Sequence, residues 1–303
     1  MSEGIIKEIE NLKAQKDAVI LAHYYAPAEV QGIADYIGDS FYLAKVATKL
    51  KQSRIVFCGV SFMGESVKIL NPEKTVQMPD ITADCAMAHM ADVNKIKQMK
   101  EEYEDLAVVC YINSTAELKC VSDVCVTSSN AVKIVRSLKN KNIFFIPDKN
   151  LGSFVKKQVP EKNIILNDGC CPIHAAVTKE DILSAKSEHP NALVLTHPEC
   201  EAEVLALSDF IGSTTDILTF ANNSKQTEFI ICTEEGVGYP LISNNPLKKF
   251  FFAKKEFICK DMKLNTLENV LKVLKEDSNI IEVDEETRIR AMVPLDRMLE
   301  MAK

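Results

Sequence analysis

The sequence predicts an α/β protein built from three similar units, each with a short parallel β-sheet. Short apolar runs alternate with stretches of helical patterning along the whole chain, and this order is typical of βαβ units. The same series of landmarks occurs three times in the 303 residues, at offsets of 88 and then 86 residues. A chain of this length has room for three such units.

Each repeat begins with an apolar run that ends in a polar or aromatic side chain. The first run ends at His23, the second reaches Tyr111 88 residues later, and the third reaches His197 after another 86 residues. Several independent landmarks in one register make coincidence implausible. The others are Ser40, Ser128 and Thr214, the glycines Gly64, Gly152 and Gly238, and the prolines Pro72, Pro160 and Pro246.

The pattern places helices and strands in turn along the three units. Helices are predicted at residues 5–16, 42–51, 93–103, 130–140, 179–188, 216–223, 266–277 and 285–301. Strands are predicted at the apolar runs 18–25, 54–58, 106–113, 142–146, 193–199, 228–232 and 279–283, whereas 250–252 fits either a helix or a strand. We expect the C-terminal piece to pack on the first unit, so the units would comprise residues 1–84 with 260–303, 85–170, and 171–259.

Composition and charge exclude some classes of partner. The chain is 47% hydrophobic and 26% charged, as in ordinary soluble domains, and its net charge is −7. No basic cluster is interleaved with aromatic residues, so we expect neither a nucleic-acid partner nor a membrane partner. The acidic N-terminus lacks the layout of a secretory signal and no apolar run is long enough to cross a bilayer, which predicts a cytoplasmic protein.

The ten cysteines contain three that recur with the repeat. Cys85, Cys171 and Cys259 follow the third apolar run of their units, and the cysteines form no C-x-x-C pair. Because ligands of open α/β units bind beyond the carboxyl ends of the strands, three units facing one axis would bring these thiols together. Three thiolates suit either a zinc ion or an iron–sulfur cluster with one open position, and the residues alone do not decide between them.

Other landmarks carry acid–base groups and groups that can donate hydrogen bonds to anions. Three pairs at strand ends, His23 with Tyr25, Tyr111 with Asn113, and His197 with Glu199, can aim side chains into one cleft. Glu199 could serve as a general base, and Tyr25 and the histidines could move or hold protons. Ser40, Ser128 and Thr214 stand where helices should begin, where they can cap the helix, bind a carboxylate or phosphate, or do both. This set of groups favours lyase or condensation chemistry on small anions.

Taken together, these motifs resemble the quinolinate synthase family in its short form, over about residues 18 to 267. The matching motifs are His23-x-Tyr25, Asp39-Ser40, Cys85, Tyr111-x-Asn113, Ser128, Pro147-Asp148-x-Asn150-Leu151-Gly152, Gly169-x-Cys171-x-x-His174, His197-Pro198-Glu199-Cys200, Gly212-Ser213-Thr214, Thr233-Glu234-x-Gly236 and Cys259-x-x-Met262-Lys263-x-Asn265-Thr266-Leu267.

The resemblance implies a fold, a cofactor and a reaction. The fold is three pseudo-symmetric, three-layer α/β/α units around a central cavity, with one four-iron, four-sulfur cluster held by Cys85, Cys171 and Cys259 and one iron open to substrate. The reaction is condensation of iminoaspartate (iminosuccinate) with dihydroxyacetone phosphate to quinolinate, phosphate and water in NAD biosynthesis. An aspartate oxidase or dehydrogenase would supply the iminoaspartate.

The resemblance also implies roles for individual residues. Tyr25 and Glu199 would transfer protons, with His23 as a third catalytic residue. The substrate-binding residues would be His23, Ser40, Tyr111, Ile112, Asn113, Ser128, His174, His197, Pro198, Glu199, Thr214 and Lys263. Some relatives carry C-x-x-C-x-x-C at the last ligand, but this chain has Ala253 and Glu256 upstream of Cys259, so we expect no regulatory disulfide there.

Three alternative functions make different predictions. An iron–sulfur hydro-lyase would dehydrate a single hydroxy acid and need no phosphorylated partner. An iron–sulfur redox sensor would leave His23, Tyr25 and Glu199 without a role. A zinc enzyme would be colourless and insensitive to oxygen.

Overall fold

The computed structural model describes residues 2–303. Its strands are β1 (Ala18–His23), β2 (Tyr36–Gly38), β3 (Arg54–Cys58), β4 (Thr75–Gln77), β5 (Leu106–Tyr111), β6 (Val124–Val126), β7 (Asn142–Ile146), β8 (Asn163–Leu166), β9 (Leu193–Thr196), β10 (Phe210–Ile211), β11 (Glu228–Cys232) and β12 (Lys249–Phe252). Its helices are α1 (Ser2–Gln15), α2 (Ala28–Gln31), α3 (Ser40–Ala47), α4 (Ser61–Leu70), α5 (Val93–Glu102), α6 (Ala116–Cys120), α7 (Ala131–Ser137), α8 (Lys149–Gln158), α9 (Pro172–Ala175), α10 (Lys179–Glu188), α11 (Ala202–Leu205), α12 (Thr214–Asn223), α13 (Gly238–Asn244), α14 (Leu267–Glu276) and α15 (Glu285–Met301), with short 3₁₀ turns at Ala86–His89, Glu235–Val237 and Met262–Leu264.

The strands form three four-stranded sheets with one topology. Their orders are β2-β1-β3-β4, β6-β5-β7-β8 and β10-β9-β11-β12. All the strand pairs within them are parallel. The prediction of three repeated α/β units, each with a short parallel sheet, is therefore confirmed.

The strand order places the ligand-binding edge. In each sheet the strand order changes direction between the first and third strands. Ligands of such folds bind at this switch point, beyond the carboxyl ends of the strands. The central strands are apolar because helices cover both faces of the sheets; all six residues of β1 are buried. The loops after the first and third strands of the three units are therefore the parts of the chain best placed to build a site.

The structure corrects two details of the predicted elements. The short edge strands β2, β6 and β10 were expected only as repeat landmarks, because two or three residues are too few to show a strand pattern. Residues 279–283 were expected to form a strand, and this is wrong: only an isolated antiparallel bridge joins Gln77 to Ile280. Asp277 and Asn279 have φ angles of 52° and 54°, so the backbone turns there and cannot extend.

The C-terminal helices tie the first two sheets together. Helix α15 packs against α4, α6 and β6, and α14 packs against α1. One continuous apolar core therefore contains Leu21 of β1, Val108 of β5 and Leu295 of α15. The apolar residues around the third sheet form two separate clusters.

The bounds at residues 84, 170 and 259 between the units stay a prediction. Within residues 2–303, no helix combines the length and the apolar character needed to cross a membrane.

Candidate active site

A single cavity lies where the carboxyl ends of the three sheets meet. Most of the predicted site residues line it, and they come from all three units: His23, Tyr25, Ser40, Cys85, Tyr111, Asn113, Ser128, Cys171, His174, His197, Glu199, Thr214 and Cys259. The carboxyl ends of β1, β5 and β9 and the loops that follow them supply the three predicted pairs of polar residues, as the strand topology requires.

Three cysteines share this cavity. Cys85, Cys171 and Cys259 are half-buried and line its wall, whereas Cys58, Cys110, Cys125, Cys200 and Cys232 are buried elsewhere. Burial raises the pKa of the Cys85 thiol to about 12 and the pKa of Cys171 well above its ordinary value, and the nearby charge of Glu199 adds to both shifts. Burial likewise raises the pKa of Cys259.

These thiols fit a metal cluster. A buried thiol next to a carboxylate stays protonated unless a cation stabilises the thiolate, which is the form that binds metal. Cys85 lies close enough to both Cys171 and Cys259 for the thiols to influence one another's pKa. Three soft donors in a mostly apolar pocket are a ligand set suited to iron–sulfur chemistry.

Two histidines present N–H donors to the cavity. Nδ1 of His23 accepts a hydrogen bond from the backbone N–H of Tyr25 at 3.1 Å, and Nδ1 of His197 accepts one from the N–H of Glu199 at 3.4 Å. The proton of each neutral ring therefore sits on Nε2. Burial lowers the pKa of both His23 and His197 to about 3, so both rings are neutral at physiological pH.

Glu199 is a buried, ionised carboxylate of the cavity. Its Oε2 lies 2.8 Å from Nδ1 of His174, and that ring's Nε2 lies 3.0 Å from the hydroxyl of Thr233. Burial opposes ionisation, but His174 and a hydrogen bond from Tyr111 outweigh it and lower the pKa of Glu199. Glu199 and His174 thus form a buried hydrogen-bonded pair in which a proton can be held or passed on.

The phenol of Tyr25 bridges units. Its OH lies 2.9 Å from the hydroxyl of Thr214 and 2.6 Å from the hydroxyl of Thr233, both in the third unit. Burial, together with the charge of Glu199, raises the pKa of Tyr25 well above its ordinary value. Tyr25 is therefore a neutral phenol that can donate a proton.

Three hydroxyl groups line the same space, two of them at helix starts and that of Ser128 three residues before α7. Ser40 is the first residue of α3 and Thr214 the first of α12, and the Ser128 hydroxyl lies 3.2 Å from Nε2 of His197. Nearby, the side-chain oxygen of Asn113 is buried without a hydrogen-bond partner. A buried polar atom of this kind needs a partner, and a bound ligand would provide one.

The sequence was compared with known proteins. A family model described as quinolinate synthetase A protein matches residues 7–300. The chain belongs to the quinolinate synthetase A protein family.

Curated relatives agree with this assignment. A protein of Fusobacterium nucleatum named quinolinate synthase is 56% identical over 294 residues, covering 97% of this chain and 98% of the relative. The quinolinate synthase of Caldicellulosiruptor bescii is 54% identical, with 99% of each chain covered. That of Clostridioides difficile is 47% identical over all 303 residues, covering 100% of both chains. These matches confirm the resemblance that the motifs indicate.

Three of the predicted site residues of this family member do not line the cavity. Ile112 is buried and its N–H donates to Val126 O at 2.8 Å, and Pro198 is also buried. Nζ of Lys263 donates to Tyr25 O at 2.9 Å and lies 2.8 Å from Glu234. The role of these three residues in substrate binding stays a prediction, and the structure shows that Lys263 joins the backbone of Tyr25 to the carboxylate of Glu234.

The structure adds residues that the sequence did not single out as site residues. Thr233 joins Tyr25 to His174, and Asn150 donates to Glu199 O at 3.0 Å. Thr215 donates to the carboxylate of Asp39 at 2.6 Å, next to Ser40. The first two lie in motifs on which the family resemblance rests, but a hydrogen bond to a residue of a distant unit leaves no local sequence pattern.

One mixed group of donors also meets the geometry of a metal site. In the part of the chain that the structure describes, donor atoms of Cys171, His174 and Glu199 lie within 4.8 Å of one another. Nδ1 of His174, however, is already engaged, at 2.8 Å from Glu199 and 3.3 Å from the sulfur of Cys171. A nitrogen that carries a proton toward these acceptors has no free lone pair for a metal. His174 and Glu199 are therefore better suited to proton transfer than to metal binding.

Proposed function

We propose that the chain is an enzyme of NAD biosynthesis, a quinolinate synthase that condenses iminoaspartate with dihydroxyacetone phosphate to quinolinate, phosphate and water. One observation carries the proposal: the thiols that follow the last strand of each of the three sheets share a cavity with neutral imidazole donors, a phenol and an ionised carboxylate. The relatives' name and the near-complete coverage of both chains support it.

Cys85, Cys171 and Cys259 would hold the cofactor, a single four-iron, four-sulfur cluster. Each thiol comes from a different loop, so only the folded chain assembles the set. When bound, such a cluster supplies a Lewis-acidic iron with one coordination position open to substrate.

Both substrates are anions, and the cavity offers directed donors rather than positive charge. Nε2–H of His23 and of His197 can donate to carboxylate oxygens. The hydroxyls of Ser40, Ser128 and Thr214 stand at or beside helix starts, where backbone N–H groups add further donors. Local donors are needed because the chain as a whole carries a net charge of −7.

The condensation also needs protons moved at defined atoms. The phenol of Tyr25, held by two threonine hydroxyls, can give a proton to a leaving oxygen. The carboxylate of Glu199 can take one from carbon or nitrogen, while the N–H at Nδ1 of His174 donates a hydrogen bond to that carboxylate. Tyr111 and Asn113 border the same space, where they can orient the substrates.

The cellular setting of this proposal follows the expectations from the sequence. We propose that the enzyme acts in the cytoplasm on iminoaspartate from an aspartate oxidase or dehydrogenase, without a nucleic-acid or membrane partner. The reaction would take place between three units comprising residues 1–84 with 260–303, 85–170, and 171–259.

The decisive test is an assay under strict exclusion of oxygen. We expect the anaerobically purified chain to be brown and to form quinolinate from oxaloacetate, ammonia and dihydroxyacetone phosphate, with oxaloacetate and ammonia generating iminoaspartate. A colourless protein replete with metal that makes no quinolinate would refute the proposal. Dehydration of a single hydroxy acid, with no use of dihydroxyacetone phosphate, would instead favour the hydro-lyase.

Glu199→Gln separates the chemistry from cofactor binding. The amide keeps the size of the side chain but cannot accept a proton, so we expect iron content to stay unchanged and kcat to fall by about 100-fold or more. Glu203→Gln, on the exposed face of α11, is the matched control and should behave like the wild type. Full activity of Glu199→Gln would remove this carboxylate from the mechanism.

A further inference from the structure

Two buried carboxylates occupy the same place in the second and third units. Asp148 follows β7 and Glu234 follows β11, and the two positions are 86 residues apart, in register with the repeat. Asp148 is 0% exposed and Glu234 is 1% exposed. Carboxylates are rarely buried to this degree unless their oxygens are fully hydrogen-bonded.

In both units the carboxylate accepts a hydrogen bond from the backbone of a cavity cysteine. Oδ2 of Asp148 accepts from the N–H of Cys171 at 3.0 Å, and Oε1 of Glu234 accepts from the N–H of Cys259 at 3.1 Å. The other carboxylate oxygen accepts a hydrogen bond from a backbone N–H in the first turn of the helix that follows. Oδ1 of Asp148 accepts from Leu151 N at 2.6 Å, and Oε2 of Glu234 accepts from Gly236 N at 2.7 Å.

A backbone hydrogen bond next to each carboxylate fixes the register of the cysteine loop. The residue after the carboxylate donates its N–H to the carbonyl two positions before the cysteine: Lys149 to Gly169 O at 2.7 Å and Glu235 to Phe257 O at 2.9 Å. The first unit has the same backbone bond, from Ser61 to Ala83 O at 2.9 Å.

The first unit lacks the carboxylate at this position. Val60 stands where Asp148 and Glu234 stand in the other units, and its side chain cannot accept a hydrogen bond. Asp84, directly before Cys85, is bonded instead by the Ser61 hydroxyl and by Nε2 of His89. The repeat therefore shows that the carboxylate is not needed for the fold of the unit, because the first unit forms the same sheet and the same backbone bond without it.

We propose that Asp148 and Glu234 are positioning residues that hold the loops of Cys171 and Cys259 in the geometry for cluster binding. This inference rests on the proposed function, since it assumes that these cysteines bind the cluster. Glu234 also lies 2.8 Å from Nζ of Lys263, which donates to Tyr25 O, so the same carboxylate links a cluster ligand to the loop of Tyr25. Groups that orient metal ligands in this way commonly change metal affinity by about 10- to 100-fold when they are replaced.

Asp148→Asn and Glu234→Gln test the proposal directly. Each carboxylate accepts at both oxygens, whereas an amide offers one acceptor and turns its NH₂ group toward an N–H donor. Asp105→Asn is the control, since Asp105 also accepts at both oxygens, from Asn140 and Lys141, but on the exposed surface of the second unit. Iron and sulfide per chain and the rate of iron loss to a chelator are measured anaerobically, with the melting temperature of each iron-free chain.

We expect the wild type and Asp105→Asn to hold about four iron atoms per chain. The two cavity variants should lose iron about 10- to 100-fold faster, with iron-free melting temperatures close to that of the wild type. Asp148 also caps α8, so if Asp148→Asn does not fold, Glu234→Gln carries the test alone. Iron loss at the wild-type rate in the folded variants would overturn the positioning role, while a wild type that binds no iron would overturn the cluster assignment itself.

Discussion

The contact between the first and second units differs from the contact that these two units make with the third. A single apolar core runs through the first two sheets and helix α15, so their contact resembles the inside of one domain. The third sheet keeps its apolar residues in clusters of its own, and hydrogen bonds between side chains join it to the first unit. Tyr25 bonds Thr214 and Thr233, and Asp39 bonds Thr215.

This difference implies that the stability of the fold and the geometry of the site depend on separate groups of residues. Burial of apolar side chains contributes most to the free energy of folding, so the shared core stabilises the fold. The hydrogen bonds to the third unit are made by residues that line the cavity or adjoin them, so they fix the site geometry. Substitutions at the two contacts should therefore have different consequences.

The largest effect on stability is expected in the shared core. Leu295→Ala removes a fully buried side chain of α15 and should lower the free energy of unfolding by about 2–5 kcal/mol. Chemical denaturation of the anaerobic protein measures this loss, and Leu247→Ala, at a residue that is 91% exposed, is the control. Equal stability of the two variants would show that the first and second sheets do not share a core.

Acid should weaken the cavity side of the molecule before it affects the shared core. His23 and His197 have folded-state pKa values of about 3, below the ordinary value of 6.5, so the unfolded chain binds more protons as the pH falls. The contribution of the two neutral rings to the free energy of unfolding is complete above pH 6.5. It is lost between pH 6.5 and 3, at about 1.4 kcal/mol per pH unit for each ring.

Denaturation midpoints at pH 7.5 and 5.5 test this expectation. His197→Gln should lose less stability than the wild type between the two values, because one titrating ring is gone. The same loss in both proteins would contradict burial of a neutral His197.

The smallest effect is expected from one hydrogen bond between the first and third units. Thr215→Val removes the donor to Asp39 at constant size and should lower the free energy of unfolding by about 1 kcal/mol. Because Asp39 caps α3 directly before Ser40, KM should rise more than kcat falls. Steady-state kinetics measure both constants, and a fall in kcat with constant KM would contradict a role in substrate binding.

The sequence predicted the repeat, the parallel sheets and the residues that line the cavity, because these leave periodic signals. The offsets of 86 and 88 residues placed Cys85, Cys171 and Cys259 at equivalent strand ends, and the parallel topology then brought them to one side. The segment after α14 shows the limit: the run at 279–283 looked like a strand, but positive φ angles at Asp277 and Asn279 prevent it.

Side-chain contacts between units could not be predicted in the same way. Lys263 was expected to bind substrate, whereas the structure directs its Nζ to Tyr25 O and Glu234. Thr233 and Asn150 reach groups of other units, and such pairs depend on how the three units dock rather than on local pattern. Asp148 and Glu234 did have a signal, their shared place in the repeat, which becomes meaningful once the cysteine N–H partners are seen.

The most direct test of the central claim compares two adjacent cysteines. Cys171 lines the cavity with Cys85 and Cys259, whereas Cys170 does not. Under anaerobic conditions, Cys171→Ala should lose the visible absorption and the iron, while Cys170→Ala should keep both and still form quinolinate. A chain that keeps its cluster without the Cys171 thiol and loses it without the Cys170 thiol would contradict the account.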